Sequence, residues 1–309
     1  MLTTPPLDAL TDIFTFEAVK GFGPQKFKEL FVDNVSLADL LSQPREMQRF
    51  GKRGKDFQKQ LDELGSVGRD KARERARKQI EYARENGACI LTYQDRSYPK
   101  TLFDSNIPVP VLYVRGDVRS LEGKSTVAGV GSRNIRQPYA SAHDKFCRLA
   151  ISRGFTIVSG FATGADIIGH LAAEGDGGHT ICVMPSGLDR PFPPEHKDIW
   201  RRFLEGTGAV FVSEFGFGVG ANALNLRKRN KMIAGCAQGV LVSQSADDGG
   251  AMNAYRFAME QKKPVATFQE DGTPDTSGND LIGDSAAKVN STVLPIEKGR
   301  EWDAWLQKL

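Results

Sequence analysis

The sequence predicts an α/β protein: a Rossmann-like, doubly wound, mostly parallel sheet preceded by a small helical domain of helix-hairpin-helix or SAM-like type. Three observations lead there. Short apolar runs bounded by glycine recur at Val127–Val130, Thr156–Ser159, Thr180–Met184, Ala209–Val212, Gly239–Ser243 and Val265–Phe268. Runs of that length suit parallel strands buried on both faces. Helical patterns separate them, at Ala140–Arg153, Gly164–Glu174, His196–Gly206, Lys231–Cys236 and Ala251–Gln261. Such alternation places ligands at the carboxyl ends of the strands. Ahead of all this, Phe14, Phe16, Val19, Phe27, Leu30 and Phe31 recur at helical intervals.

From the N-terminus, residues 1–85 are expected to form the helical domain. Lys20-Gly21-Phe22-Gly23-Pro24 separates two short helices, with glycines for a tight turn and Pro24 at the first position of the next helix. The pattern fits a helix-hairpin-helix whose turn amides bind a DNA phosphate, or a plain αα-hairpin; the shortness of the signal favours the plain hairpin. Arg69–Glu85 reads as a further helix whose cations are balanced by Asp70, Glu74 and Glu81, a solvated face. Residues 86–125 are lead-in strands and linker, with Cys89–Tyr93 and Val109–Val114 as strands. The main domain covers 126–295, and 296–309 is a short helical tail.

With 309 residues, 40% hydrophobic and 26% charged, the chain is an ordinary globular protein with ample core. No apolar run approaches the roughly 20 residues of a membrane span, and Met1–Leu10 has no signal-peptide pattern, so a cytoplasmic protein without membrane contact is expected. Cys89, Cys147, Cys182 and Cys236 are scattered and read as buried thiols, and the four histidines lack metal-ligand spacing. No metal, cofactor or catalytic residue is expected. The net charge of +3 is too small to imply a polyanion partner unless the positive charge is concentrated.

It is concentrated in the loops. After the first main strand comes Gly129-Val130-Gly131-Ser132-Arg133-Asn134. Glycine admits a phosphate to the backbone, Ser132 adds a hydroxyl and Arg133 a permanently charged fork. A dinucleotide fingerprint needs a third glycine where Asn134 stands and an acid after the second strand, which ends in Ser159-Gly160. Ordinary NAD binding is therefore not expected. The second loop, Ser159-Gly160-Phe161-Ala162-Thr163-Gly164-Ala165-Asp166, opens a helix whose amides suit an anion, with His170 one turn on. Asp166 and His170 are read as structural, through capping, an Asp–His contact or loop positioning. In the third, Pro185-Ser186-Gly187-Leu188-Asp189, Ser186 is a possible phosphate donor and Asp189 a turn residue.

The fourth, Asn225-Leu226-Arg227-Lys228-Arg229-Asn230-Lys231, sets four cations in five residues with no acid three or four positions away. Beside the other loops this run is expected to meet a polyanion. The fifth, Ala246-Asp247-Asp248-Gly249-Gly250-Ala251, brings Gly249 and Gly250 close to a ligand while its aspartates oppose direct phosphate contact. The expected DNA- and phosphate-binding set is Gly131, Ser132, Arg133, Asn134, Gly160, Gly164, Ser186, Arg227, Lys228, Arg229, Asn230 and Lys231. Asp166, His170, Asp189, Gly249 and Gly250 are expected to shape the loops.

In order, these motifs resemble the DNA-processing protein A family, also called DprA or Smf, from about Ile90 to about Val289. The pieces that carry the likeness are Val130–Asn134, Ser159-Gly160 with Gly164, Asp166 and His170, Gly187-Leu188-Asp189 and Pro193-Pro194-Glu195. Ser213-Glu214, Arg227–Lys231 with Ile233-Ala234-Gly235, and Gly278–Ile282 complete it. The resemblance implies single-stranded DNA binding and assistance to a RecA-like recombinase, in a homodimer and without catalysis. By motif it places strand contacts on Gly131, Ser132, Arg133, Gly160, Arg227, Arg229, Asn230 and Lys231. The chain departs from the family pattern at Gln244, where an acid is usual, and at Asp248-Gly249-Gly250. A C-terminal winged-helix module, carried by many members, is not expected after Glu301–Leu309. These departures also suit a specialised relative in phage defence or on a mobile element.

Two rival readings make different demands. A nucleotide-hydrolysing Rossmann protein of the lysine-decarboxylase-like class needs P-G-G-x-G-T-x-x-E, but Asp248–Tyr255 has no carboxylate on its helix. A purely structural adaptor predicts no salt-dependent affinity for nucleic acid.

Overall fold

The computed structural model describes residues 4–123, 125–285 and 290–309. Four helices come first: α1 (Leu7–Glu17), α2 (Pro24–Val32), α3 (Leu37–Ser42) and α4 (Lys52–Glu85). Helix α4 is interrupted at Gly65, whose φ of 54° and ψ of −158° suit glycine alone. Then follow β1 (Ala88–Leu91), α5 (Lys100–Asp104), β2 (Leu112–Gly116), β3 (Thr126–Val130), α6 (Tyr139–Ser152), β4 (Thr156–Ser159), α7 (Ala165–Gly175) and β5 (Thr180–Val183). The chain continues through α8 (Lys197–Glu205), β6 (Ala209–Ser213), α9 (Ala223–Cys236), β7 (Gly239–Val242), α10 (Ala251–Glu260) and β8 (Val265–Phe268). It ends with α11 (Ser277–Asp284), β9 (Ser291–Leu294) and α12 (Arg300–Leu306).

The nine strands among the described residues lie in one sheet of order β1-β2-β6-β5-β4-β3-β7-β8-β9. The pairings from β6 to β9 are parallel, while β1–β2 and β2–β6 are antiparallel. The doubly wound, mostly parallel α/β sheet expected from alternation is present. Every residue of β3 through β8 is buried, as a sheet covered by helices on both faces requires.

Three particulars differ from the sequence reading. The lead-in strands are not a separate element: β2 pairs with β6 and extends the sheet. The helical segment shares a core with that sheet, since Phe14 and Phe16 belong to one apolar cluster with Val111, Tyr113 and Phe211. And α9 begins at Ala223 rather than near Lys231, because Asn222 caps it, its side chain accepting from the Asn225 N–H at 2.9 Å. Polar residues fill its first turns, so the apolar signal starts only at Met232. The edge strand β9 carried no apolar run strong enough to read, its residues being half exposed except Leu294. The four cysteines are free and buried, and burial pushes the Cys89 thiol up to about 11. Among the described residues no helix is long and apolar enough to cross a membrane.

Candidate nucleic-acid interface

Strand β3 lies between β4 and β7, and the chain winds outward on both sides of it. Loops leaving the carboxyl ends of β3 and β7 therefore diverge, opening a crevice at the switch point. That crevice is a cleft of about 510 Å³ between the β3–α6 loop, α9 and the β7–α10 loop.

The first loop is tied at its base. The Ser132 N–H donates to the Gln244 carbonyl at 2.8 Å, so what Ser132 offers a ligand is its hydroxyl. Gly131 is required for close approach, because a Cβ there would lie 2.8 Å from Ala165. The Gln244 side chain in turn accepts from the Arg136 N–H at 2.9 Å, pinning the loop's far end. Arg133 is exposed and has no ion pair among the described residues.

The second loop corrects the expectation of free anion-binding amides. Asp166 accepts from the Gly160 N–H at 3.1 Å and the Ala162 N–H at 3.3 Å, and the Phe161 N–H donates to His170 Nε2 at 3.3 Å. These donors are already used. Gly160 is buried beneath the Arg229 guanidinium, which would overlap any Cβ at that position. Gly164, at φ 78°, packs so closely on the first loop that a Cβ would lie 2.2 Å from the Ser132 carbonyl. Both glycines fit loops together and do not line the cleft. Asp166 and His170 act structurally without bonding each other, each fastening a different part of the loop. His170 Nδ1 meets the Thr180 hydroxyl at 2.6 Å, and that hydroxyl donates to the Ile157 carbonyl. Burial pushes His170 down to about 3, leaving a neutral ring that accepts from Phe161.

Ser186, expected as a donor, is buried with its hydroxyl given to the Arg190 carbonyl at 2.9 Å. Asp189 accepts from the Gly218 N–H at 3.0 and 3.1 Å, a loop tie.

The basic run divides by helix face. Arg227 and Lys228 are exposed, Asn230 and Lys231 half-buried, and Arg229 only 5% exposed on the cleft floor. Local sequence shows no acidic partners, yet the fold supplies them. Arg229 Nη1 lies 3.8 Å from Asp166 and donates to the Val183 carbonyl at 3.2 Å. Burial pushes the Asp166 carboxyl up and Arg229 pulls it back, and the surrounding donors suit the carboxylate. Lys228 and Lys231 face Glu214, whose carboxyl burial raises while these lysines lower it. Lys231 also sits 4.8 Å from the Phe257 ring centre. Arg227 alone of the four cations has neither partner among the described residues. Asn230 donates to the Gly250 carbonyl at 3.2 Å and so positions the fifth loop.

The cleft thus brings together Gly131, Ser132, Arg133, Arg227, Arg229, Asn230, Gly249 and Gly250. Asn134, Gly160, Gly164, Ser186, Lys228 and Lys231 do not line it. Sequence reasoning missed Leu226 and Asn253, which do. Leu226 was within reach, since it shares a helix face with Arg229, Asn230 and Ile233 by i, i+3, i+4, i+7 spacing. A larger cavity of about 960 Å³ lies near the opposite ends of the strands. Its most buried cation, Lys263, gives its ammonium to the carbonyls of Ala234, Gly235 and Ala237. That ammonium caps the end of α9, so the site's chemistry lies in the smaller cleft.

Comparison with known proteins shows the family. The model of the family described as DNA recombination-mediator protein A matches residues 89–297. Protein Smf of Synechocystis is 31% identical over 200 residues, covering 63% of this chain and 49% of that protein. Protein Smf of Escherichia coli is 36% identical over 169 residues, covering 54% and 44%. The DNA processing protein DprA of Streptococcus pneumoniae is 31% identical over 171 residues, covering 55% and 59%. The chain spans about half the length of the curated relatives it matches. Among solved structures, S. pneumoniae DprA aligns with a TM-score of 0.68 at 20% identity, covering 94% of this chain and 95% of that one. DNA processing protein A of Helicobacter pylori, described for its single-stranded DNA binding mode, gives 0.60 at 22%, covering 71% and 94%. At such identities these two likenesses speak for the fold, while the family match spans more than half of the sequence. The chain belongs to the DNA recombination-mediator protein A family.

Proposed function

We propose that this chain binds single-stranded DNA in the cleft between β3 and α9 and assists a RecA-like recombinase to load on it. The observation that carries this is the convergence of two arginines without ion pairs, Arg133 and Arg227, on one cleft with the Ser132 hydroxyl. Uncompensated guanidinium groups beside close-packed glycine backbone suit phosphate oxygens. Beneath them the Arg229 Nε is buried and without a hydrogen-bond partner, a donor that a strand phosphate would satisfy. The H. pylori relative described for single-stranded DNA binding has the same fold, which supports the reading.

Binding rather than bond cleavage fits the cleft chemistry. Its one lining carboxylate, Asp166, is committed to two backbone N–H groups and a guanidinium, and α10 contributes only Ala251, Asn253 and Ala254. We extend the proposal to a homodimer, as the family resemblance implies, and to the cytoplasm, as the sequence reading expects.

Fluorescence anisotropy with a labelled single-stranded oligonucleotide tests the reading. Affinity should fall as salt rises, because each neutralised phosphate releases counterions. Arg133→Ala should weaken binding about five- to tenfold for all base sequences alike, as a phosphate contact does. Absence of binding at low salt would overturn the proposal.

A further inference from the structure

A second concave surface lies beside the loop that leads into α9. After β6 this loop crosses α4, and Gln79 of α4 fixes it there. The Phe217 N–H donates to Gln79 Oε1 at 2.7 Å and Gln79 Nε2 donates to the Phe217 carbonyl at 3.3 Å. Gly216 leaves room for that amide, since a Cβ would lie 2.6 Å from its Oε1. The result is a groove of about 420 Å³, with Phe217 and Gly218 on one wall and Lys71, Glu74, Arg75, Lys78 and Tyr82 on the other.

Lys71, Arg75, Lys78 and Tyr82 follow one another at spacings of four, three and four, which places them on one helix face. Tyr82 is 44% exposed, its ring centre 6.3 Å from that of Phe217. Arg75 is engaged with Glu17 and stacks on Phe14. Lys78 has only the half-buried Glu74 at 3.5 Å, which it shares with Arg77, and Lys71 has no ion pair among the described residues. The groove therefore presents an exposed aromatic face beside weakly compensated ammonium groups, a pairing that holds a single strand by base stacking and phosphate neutralisation.

Its position relative to the cleft matters equally. Gly218 edges the groove and Ala223 edges the cleft. The intervening chain spans at most about 18 Å, a distance that about five stacked nucleotides cover at ~3.4 Å each. Along that stretch Val219 is 39% exposed and, one residue past Ala223, Leu224 is 62% exposed, apolar surface on which bases can lie.

We propose that this groove is a second contact for the same strand, with Tyr82 stacking a base and Lys71 and Lys78 holding neighbouring phosphates. The inference rests on the single-stranded DNA reading of the cleft. Anisotropy with labelled oligothymidylates of about four and about twenty nucleotides separates the two, the shorter being unable to bridge cleft and groove at ~3.4 Å per nucleotide. Tyr82→Ala should weaken the longer oligonucleotide roughly fivefold or more and leave the shorter unchanged. Tyr82→Phe, which keeps the ring, should restore wild-type affinity. Replacing Lys71 and Lys78 together by Gln should reduce the salt slope by about 1.4, on the longer oligonucleotide only. Wild-type affinity of Tyr82→Ala for the longer oligonucleotide, or an equal loss on both lengths, would overturn the second contact while the cleft stands. Failure of the wild type to bind either length removes the cleft reading, and this one with it.

Discussion

The turn at Gly21–Pro24 and the loop at Gly131–Asn134 are built from similar parts, yet the fold treats them differently. Each combines glycine with a nearby cation, Lys20 or Arg133, and precedes a helix. At the turn, Phe22 is buried among Phe16, Phe27, Phe50 and Phe57, with ring centres 4.6 to 5.5 Å away. The Lys20 backbone is bonded both ways to the Gln60 side chain, and nearby Lys26 pairs with Glu29. At the cleft loop, the buried ties lie behind the loop, through Gln244 and Gly164, and the Arg133 side chain projects without an ion pair. The cleft loop is fixed from behind and leaves Arg133 at the cleft, whereas the turn is fixed by the ring at its own centre. Where a buried aromatic anchors the turn, as Phe22 does, the same parts stabilise packing, even though the exposed Lys20 beside it has no ion pair among the described residues.

Substitution at the anchor of each region should break the contrast most strongly. Phe22→Ala removes a buried ring from an aromatic cluster and should cost about 3–5 kcal/mol in urea unfolding, with DNA affinity of the remaining folded protein unchanged. Arg229→Met leaves Asp166 buried without its charge partner and should cost a similar 3–5 kcal/mol, now with loss of DNA affinity. Loss of DNA affinity in folded Phe22→Ala would mean that the turn, too, contacts the strand.

Acid should act on the cleft side first. His143 and His170 lie buried under the β3 and β4 loops, and burial pushes them down to about 4 and about 3 from an ordinary 6.5. Their folded forms are neutral, so below pH 6.5 the unfolded chain binds more protons than the fold. Stability from these two rings is complete above pH 6.5 and declines as pH falls toward 4 and then 3. Thermal unfolding across that range should show the decline, and His143→Gln should flatten its upper part if the ring tolerates replacement. A flat profile in the wild type would show that the rings are protonated in the fold.

The smallest effect separates two exposed cations. Arg227→Ala should lower the slope of log affinity against log salt by about 0.7, one phosphate contact on a single strand, whereas Lys20→Ala should leave it unchanged. Equal changes in both would erase the distinction between cleft and turn.

Much of this was legible in the residues. Glycine-bounded apolar runs determined the parallel strands, because a strand buried on both faces has no other composition open to it. The Gly131-Ser132-Arg133 and Arg227–Lys231 motifs marked segments that the fold brings to one cleft. What local sequence lacked was the partner of each charge. Asp166 for Arg229, and Glu214 for Lys228 and Lys231, arrive through the crossing of β4, β6 and α9, far apart in the chain. Asn222 started α9 ahead of its apolar stripe, and Gly160 served to seat a guanidinium rather than a phosphate. Sequence by itself determined the central strands and the identity of the charged loops, since periodicity and glycine spacing are local properties. Only the tertiary structure decided which of those charges are matched and which, at Arg133 and Arg227, remain for a ligand, because electrostatic compensation depends on distance in space.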